Sequence, residues 1–367
     1  MAEYKTLVKK IPVSPDKKTK QKDYLKKGQL PIVDQGQSLI GGYTDDANMT
    51  VECELPVIVF GDHTRAVKYI TFPFGAGADG IKVLQPKENI LPRFLYYGTQ
   101  YVVAKMPNRG YARHYQYVEK EDLPVPPIPE QERIVARIEE LFSQLDAGVE
   151  TLKKTKAQLA VYRQAVLKEA FGTIAERVPL GCISESRLGK MLDKEKNTGV
   201  PRKYLRNINV RWFSFDLTDL LEMRIEDDEI EKYSICKGDL IICEGGEPGR
   251  CAVWQRDDAL FYQKALHRVR FTDGSNPFFY MYYLWYATQT GQLKPYYTGT
   301  GIKHLTGQSL VKVPVPTVGK EIQNNTVTEI ESRLSVCDSI EQTVDAALQQ
   351  AEAMRQSILK DAFEGRL

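Results

Sequence analysis

Two segments of the chain carry an apolar residue at every seventh position, with charged and polar residues in most of the gaps. In the first segment, which runs from Pro129 to Phe171, these positions are Ile138, Leu145, Leu152, Leu159 and Val166. In the second segment, which runs from about Val318 to Phe363, they are Ile330, Cys337, Val344, Ala351 and Ile358. A strict seven-residue repeat is typical of a helix that packs along its length on another helix. The pattern therefore predicts two long helices that form a coiled coil with each other.

The ends of the first segment carry helix-boundary signals. Pro129 suits the first position of a helix because its missing N–H would be unpaired there, and Glu130 meets the positive end of the helix dipole. Gly172 suits the end of the helix. At about 1.5 Å per residue the helix would be about 65 Å long. The alternative, a helix that packs only on its own globular domain, does not explain that length.

Shorter apolar runs in front of each long segment predict mixed domains of strands and helices. Pro56–Phe60 and Ile81–Leu84 indicate strands, and the glycine-rich stretch Phe72–Gly80 is predicted to connect them. In the second half of the chain, Gly238–Cys243 indicates a strand and Asn276 indicates the start of a helix.

The order of these patterns predicts an α+β fold with two mixed α/β domains and two long helices. The predicted boundaries are 1–128 for the first domain, 129–172 for the central helix, 173–316 for the second domain and 317–367 for the C-terminal helix.

The chain repeats itself over about half its length. The segment Arg163–Phe171, RQAVLKEAF, returns as Arg355–Phe363, RQSILKDAF, at a shift of 355 − 163 = 192 residues. The same shift aligns Asp146 with Asp338, whereas the sequences in front of the helices have diverged. A repeat of this length indicates one structural unit used twice. If each domain leads into its own helix, a pseudo-two-fold arrangement pairs the two helices antiparallel.

Composition bears on the cellular location of the protein and argues against zinc and redox sites. The net charge of +2 neither requires nor excludes nucleic acid, because acidic residues elsewhere can balance a basic binding face. The six cysteines form no C-x-x-C pair, so neither a zinc site nor a redox motif is predicted. The sequence has no run of about 18 apolar residues and no apolar signal segment near Met1. We therefore expect a cytoplasmic protein without a membrane partner.

Two loops in front of the predicted helices combine glycine, basic residues and histidine at matching places of the repeat. They are Asn108–His114 and Thr298–His304, and a third segment is the glycine-rich turn Gly245–Gly249. Small residues let a backbone approach a DNA duplex, and Arg or Lys can contact phosphate or guanine. The alternative is an exposed basic loop, but the shared place in both copies favours binding. The residues predicted to bind DNA are Arg109, Arg113, His114, Arg250, Lys303 and His304.

No catalytic, cofactor or metal site is predicted. Phe72–Gly80 resembles a glycine loop for a nucleotide, and Asn276–Phe279 resembles a methyltransferase motif. The two lie in different copies of the repeat, however, and no βαβ pattern surrounds the glycines. None of the four histidines has a Cys, Asp or second His at metal-ligand spacing.

A proline-rich signature leads into the first long segment. The run Leu123–Val135, LPVPPIPEQERIV, returns in weaker form before the second segment. Together with the half-length repeat, it resembles the specificity (S) subunit of type I restriction-modification systems, over essentially the whole chain. The second copy departs from the signature, because Thr317–Glu321, TVGKE, stands where Pro-Glu-Gln is expected. This departure argues against equal partner contacts at the two helix starts.

The resemblance implies a non-catalytic subunit that recognises double-stranded DNA. Each mixed domain would be a target-recognition domain for one half of a split target. Because the two domains differ in sequence, we expect an asymmetric target. The helices would set the gap between the halves and dock two DNA methyltransferase subunits that bind S-adenosylmethionine. Restriction and motor subunits that use ATP and magnesium would join for cleavage, so cofactors are expected on the partners and none in this chain.

Two alternatives to this function stay open. A similar subunit serves type IIB systems, in which the methyltransferase and the nuclease are fused. A structural coiled-coil adaptor without DNA specificity would carry the same helices.

Overall fold

The computed structural model describes residues 1–78, 80–107, 110, 112–193, 195 and 197–367. The chain packs into two compact units. Unit 1 contains Met1–Lys154 and Val344–Leu367, and unit 2 contains Thr155–Thr343. Each unit therefore includes a globular part and a portion of both long helices.

Unit 1 is built on two four-stranded sheets. Its strands are β1 (Ala2–Glu3), β2 (Val8–Ile11), β3 (Lys18–Thr19), β4 (Leu30–Val33), β5 (Gly42–Thr44), β6 (Val57–Gly61), β7 (Val67–Ile70), β8 (Gly75–Gly77), β9 (Ile81–Pro86) and β10 (Asp122–Leu123). Its helices are α1 (Tyr4–Leu7), α2 (Pro92–Lys105), α3 (Tyr115–Val118) and the first part of α4 (Ile128–Phe171). Single 3₁₀ turns cover Pro15–Lys17, Gln21–Asp23 and Ala47–Met49.

The first sheet of unit 1 has the strand order β2-β9-β6-β7 and is antiparallel throughout. The second has the order β3-β8-β4-β5, in which β8 runs parallel to both β3 and β4. Strand β6 is buried on both faces because successive side chains of a strand point to opposite sides. Val57 and Val59 join a core with residues of the second sheet, whereas Ile58 and Phe60 join a core with α2 and the long helices.

Unit 2 repeats this plan. Its strands are β11 (Arg177–Pro179), β12 (Ser184–Leu188), β13 (Val200–Leu205), β14 (Val210–Arg211), β15 (Ser214–Phe215), β16 (Leu221–Ile225), β17 (Ser234–Ile235), β18 (Leu240–Cys243), β19 (Cys251–Val253), β20 (Leu260–Tyr262), β21 (Leu266–Phe271) and β22 (Pro314–Pro316). Its helices are α5 (Ile230–Tyr233), α6 (Pro277–Gln289), α7 (Gly307–Leu310) and the first part of α8 (Lys320–Phe363). Single 3₁₀ turns cover Leu180–Cys182, Asn207–Asn209, Asp227–Glu229 and Lys294–Tyr296.

The sheet topologies confirm the predicted internal repeat. The order β12-β21-β18-β19 in unit 2 matches β2-β9-β6-β7 in unit 1, with every pair antiparallel. In the second sheets, β17-β20-β13-β16 matches β3-β8-β4-β5 except at one edge. At that edge, β3 is parallel to β8, whereas β17 is antiparallel to β20. Strand β3 also comes before the other strands of its sheet along the chain, whereas β17 follows β16.

The prediction that Phe72–Gly80 only connects two strands is wrong. Gly75–Gly77 forms strand β8, which lies in the middle of a sheet. The strand is fully buried, and glycine is required by close approach. A Cβ at Gly77 would lie 2.5 Å from the Cβ of Asp34 and 2.6 Å from the hydroxyl of Tyr24.

The two long helices match residue for residue in extent. Helices α4 and α8 both have 44 residues, and both ends differ by 192 positions (320 − 128 and 363 − 171). The predicted starts, Pro129 and about Val318, differ from the observed ones by one and two residues. Of the residues predicted to pack the helices together, those buried in their own unit are Ile138, Leu159, Val166, Ile330 and Val344. Those partly exposed are Leu145, Leu152 and Ile358.

Within each unit the helix portions run antiparallel, as the fold prediction requires. In unit 2, Arg163 contacts Asp338 at 2.5 Å and Glu341 at 2.7 Å, whereas the later Glu169 contacts the earlier Arg333 at 2.9 Å. In unit 1, Arg355 forms an ion pair with Asp146. Arg163 and Arg355 are related by the 192-residue shift, and so are Asp146 and Asp338. The same Arg–Asp pair therefore occurs twice, with the roles of the helices exchanged, as in a two-fold contact.

The four predicted domain ranges remain predictions. The compact units group residues by packing, and that grouping does not test whether each predicted recognition domain acts separately.

Candidate nucleic-acid interface

In unit 1 the predicted binding loop lies between α2 and α3. Arg109 falls outside the described residues. Arg113 is exposed. His114 is only 1% exposed, and its backbone N–H donates to the carbonyl oxygen of Asp62 at 2.8 Å. Because its side chain is enclosed, His114 supports the loop from inside and is not presented at the surface for DNA.

The turn between β6 and β7 holds this loop in place. Asp62 is 3% exposed, and its Oδ1 accepts a hydrogen bond from the backbone N–H of Tyr115 at 2.8 Å. Its Oδ2 lies 3.4 Å from Nζ of Lys82, which balances the buried carboxylate. The ring Nδ1 of His63 lies 3.1 Å from the carbonyl oxygen of Ala112. These bonds join the turn to the described end of the loop at Ala112–Tyr115 in unit 1.

Unit 2 joins the equivalent turn and loop. The turn Glu244–Arg250 lies between β18 and β19, and the loop Tyr297–His304 precedes α7. Thr298 and His304 pair through two backbone hydrogen bonds of 2.8 and 2.9 Å, which close the loop. The hydroxyl of Tyr297 donates to the carbonyl oxygen of Pro248 at 2.9 Å. These bonds bring the two predicted segments against each other.

Glycine lets the turn and the loop approach closely. A Cβ at Gly245 would lie 3.0 Å from Nδ1 of His304, so the imidazole packs directly on the backbone of the turn. Gly246 and Gly249 have φ values of +74° and +94°, which residues with side chains rarely adopt.

Arg250 braces the turn from within. Its guanidinium donates to Oε2 of Glu247 at 2.8 Å and to the carbonyl oxygen of Asn207 at 3.0 Å, and its side chain is 16% exposed. The side-chain amide of Asn207 in turn donates to the carbonyl oxygen of Gly245 at 2.9 Å. Arg250 therefore ties Glu247 of the turn to the neighbouring segment at Asn207.

The loop presents an exposed cationic side chain on this surface. Lys303 and His304 are exposed, and Nζ of Lys303 donates to the carbonyl oxygen of Gly299 at 2.8 Å. Below them, His267 is fully buried, and its Nε2 lies 2.9 Å from the carbonyl oxygen of Leu305. Burial lowers the pKa of His267, so its imidazole is held neutral beneath the loop.

The sequence did not reveal the residues that hold these segments together. Asp62, Asn207 and Glu247 were not selected, although each follows closely after a short apolar run. For Asp62, the position directly after a predicted strand was the available signal, because polar side chains there bond the backbone of an adjacent turn.

The buried thiols of unit 2 do not provide a nucleophile. Burial raises the pKa of Cys243 to about 11 and that of Cys251 well above its usual value. Within the part of the chain that the structure describes, no group of His, Cys, Asp and Glu could hold a metal ion. No helix among the described residues is long and apolar enough to cross a membrane.

Known proteins share both sequence and fold with this chain. Residues 10–160 match the family model described as type I restriction modification DNA specificity domain. The type I restriction enzyme EcoKI specificity subunit of Escherichia coli K12 is 23% identical over 267 residues, which span 67% of this chain and 58% of that protein. The EcoBI specificity subunit of Escherichia coli is 25% identical over 372 residues, which span 90% of this chain and 74% of that protein.

Two solved structures resemble the whole chain. One comes from work described as the structural basis of complex assembly and conformational transition of the type I R-M system, with a TM-score of 0.74, 16% identity and coverage of 100% of this chain and 97% of that chain. The HsdS subunit from Thermoanaerobacter tengcongensis has a TM-score of 0.55, 17% identity and coverage of 100% and 96%. At these identities the structures show the fold alone, whereas the sequence matches confirm the family resemblance.

Proposed function

We propose that this chain, which is similar to type I restriction-modification specificity subunits, reads a two-part, asymmetric DNA target for a methyltransferase and restriction complex. The observation that carries the proposal is one scaffold used twice with different surfaces. In each unit a hairpin turn and a loop lie against each other, next to the same four-stranded sheet.

The two surfaces differ in ways that matter for DNA. The turn in unit 1, Asp62–Ala66, has five residues, whereas Glu244–Arg250 in unit 2 has seven. Exposed Arg113 lies on the first loop, and exposed Lys303 and His304 lie on the second. Since base edges are distinguished by the identity and placement of side chains, different surfaces favour different half-sites.

The long helices support a role as spacer and docking frame. At about 1.5 Å per residue each is about 65 Å long, far more than is needed to cover one sheet. The repeated helix offers two related docking surfaces, which fits two methyltransferase subunits, although the helix starts differ in sequence. We propose that those subunits carry S-adenosylmethionine, that motor and restriction subunits carry ATP and magnesium, and that this chain is non-catalytic.

Methylome sequencing of cells that express the chain with its methyltransferase subunits tests the proposal. We expect one motif made of two different half-sites with a fixed gap. A palindromic motif would contradict the asymmetry. Equal binding of the complex to the recovered motif and to random duplexes would instead support a structural adaptor. Calorimetry of the isolated chain with S-adenosylmethionine should give no binding heat, and saturable binding would contradict the non-catalytic role.

A further inference from the structure

One glutamine in each unit is buried at the same position of its long helix. Gln131 in the first turn of α4 is 0% exposed, and Gln323 in the first turn of α8 is 2% exposed. The two are separated by the same 192 residues that relate the helices. Glutamine is seldom buried, because an enclosed amide without partners is costly. Its burial at both helix starts therefore calls for a physical cause.

Gln131 bonds two separate segments of unit 1. Its Oε1 accepts a hydrogen bond from the backbone N–H of Leu91 at 2.9 Å, immediately before α2 begins. Its Nε2 donates to the carbonyl oxygen of Pro126 at 2.8 Å and to that of Asn89 at 3.1 Å. One side chain thus ties the start of α2 and the proline-rich segment to the first turn of α4.

Gln323 makes two equivalent connections in unit 2. Its Oε1 accepts from the backbone N–H of Asn276 at 2.8 Å, and Asn276 is the residue that caps α6. Its Nε2 donates to the carbonyl oxygen of Val318 at 3.1 Å, with longer contacts to Ser275 at 3.4 Å and Tyr280 at 3.5 Å. The amide therefore persists in the second copy although the surrounding Pro-Glu-Gln signature does not. Gln323 lies two residues beyond Glu321, where the motif was expected to end.

The hydrogen bonds of the two glutamines constrain the orientation of the bonded segments as well as the distance between them. An apolar side chain of similar size could fill the same space, but it would hold its neighbours only by packing. A hydrogen bond weakens steeply when its angle changes, so an amide bonded on both ends resists rotation of the elements around it. Leaving one of these backbone groups unpaired in the interior would also be unfavourable.

We propose that Gln131 and Gln323 are positioning residues that set the angle between each recognition domain and its helix, and thereby the gap between the two half-sites. This role rests on the proposed recognition of a two-part target. A tilt of about 5° at one end of a helix about 65 Å long moves the other end by about 6 Å, more than the roughly 3.4 Å between base pairs. Small losses of angular control at either glutamine therefore reach the scale of one base pair.

Methionine variants separate hydrogen bonding from packing. Gln131→Met and Gln323→Met keep side-chain length and remove the hydrogen bonds. Gln144→Met and Gln342→Met are matched controls, because both glutamines are exposed on the same helices and in the same two units. Each variant is assembled with its methyltransferase subunits and assayed for methylation. The substrates are duplexes whose gap is the native one, one base pair shorter or one base pair longer.

We expect the preference of the wild-type complex for the native gap to fall at least threefold in each buried-site variant. The preferred bases within each half-site should stay the same, and both controls should behave like the wild type. Hydrogen exchange supplies a second readout. The backbone amide of Leu91 should exchange at least tenfold faster in Gln131→Met, and that of Asn276 at least tenfold faster in Gln323→Met.

Unchanged gap preference in both folded buried-site variants overturns the positioning role. If a methionine variant does not assemble, the shorter Gln131→Asn or Gln323→Asn is assayed instead, and wild-type gap preference in that variant has the same meaning. If the wild-type complex itself shows no gap preference, two-part recognition fails and the positioning role fails with it. A wild-type preference that the variants retain removes the positioning role alone.

Discussion

The helices of the two copies have stayed alike, whereas the surfaces that precede them have changed. Helices α4 and α8 agree in length, in the buried glutamine of the first turn and in the repeated Arg–Asp pair. The hairpin turns differ by two residues, and the edge strands β3 and β17 differ in direction and in their place along the chain. This difference indicates that the architecture constrains the long helices and leaves the exposed loops free to vary.

The largest expected effect on stability concerns the last aromatic residue of each long helix. Phe171 packs against Phe279, Tyr283 and Tyr286 with ring centroids 5.2 to 5.9 Å apart. Its counterpart Phe363 lies 5.0 and 5.3 Å from two rings of α2. Because both are almost fully enclosed, we expect each alanine variant to lower the free energy of unfolding of its own unit by about 3 to 5 kcal/mol.

The tryptophans make this measurement specific. All three, Trp212, Trp254 and Trp285, lie in unit 2. Urea unfolding followed by tryptophan fluorescence should therefore show a large shift for Phe171→Ala. Hydrogen exchange of α2 should show the effect of Phe363→Ala in unit 1. A loss below about 1 kcal/mol in either unit would mean that the two helix ends are not equivalent in packing.

A second prediction concerns the divergent surfaces. Lys303→Ala should weaken DNA binding by the assembled complex about threefold to tenfold, and it should reduce the slope of log Kd against log salt by about one, because one phosphate contact is lost. Lys153→Ala is the control, since Lys153 is exposed on α4 away from the loops. Equal effects of the two substitutions in a salt-matched titration would count against the loop as a contact.

The two sheets should also differ in their response to acid. His267 on β21 is buried, and burial lowers its pKa, whereas unit 1 has Lys82 near the start of the matching strand β9. The folded state then binds fewer protons than the unfolded state at pH values below the unfolded pKa of about 6.5. The contribution of neutral His267 to the stability of unit 2 is therefore present in full above that pH and is lost as the pH falls from it towards the lower folded pKa.

Urea midpoints from tryptophan fluorescence at pH 7.5 and 5.5 check this difference. The decrease should shrink in His267→Gln, which removes the titrating ring, and should persist in His304→Gln, because His304 is exposed. The same decrease in His267→Gln as in the wild type would assign the acid sensitivity to another group.

The smallest expected effect lies in the repeated Arg–Asp pairs. Ion pairs at the surface contribute up to about 1 kcal/mol, so Arg163→Ala should cost less than that in unit 2. Arg355→Ala should cost somewhat more in unit 1, because the guanidinium of Arg355 also lies 4.4 Å from the ring centroid of Phe142. Urea unfolding by fluorescence for the first and hydrogen exchange for the second give the comparison. A larger loss for Arg163→Ala would reverse this ranking.

The sequence predicted the helices well because their signal is local and periodic. The seven-residue spacing predicted both helices, and their predicted starts lie within two residues of the observed ones. The repeat predicted the antiparallel pairing. The fold of the β-rich parts was harder to predict. Strand β8 consists of Gly75–Gly77. A side chain at Gly77 would collide with Asp34 and Tyr24, which are distant from it in sequence.

The candidate site was harder still to predict, because burial in loops has no period. His114 and His304 occupy matching places in the sequence repeat, but the first is enclosed and the second is exposed. Gln323 was missed for a related reason. The glutamine itself is retained, but the residues around it no longer resemble those around Gln131.

The membership of Val344–Leu367 in unit 1 has a consequence for how the protein is made. Leu359, Ala362 and Phe363 complete a core whose other residues begin at Tyr4. A ribosome that adds roughly 5 to 20 residues per second needs roughly 10 to 40 seconds to travel from Lys154 to Val344. During that interval the unit synthesised first is without the helix that closes it. A late stop codon would therefore damage the beginning of the protein, and the first unit to emerge is the last to be completed.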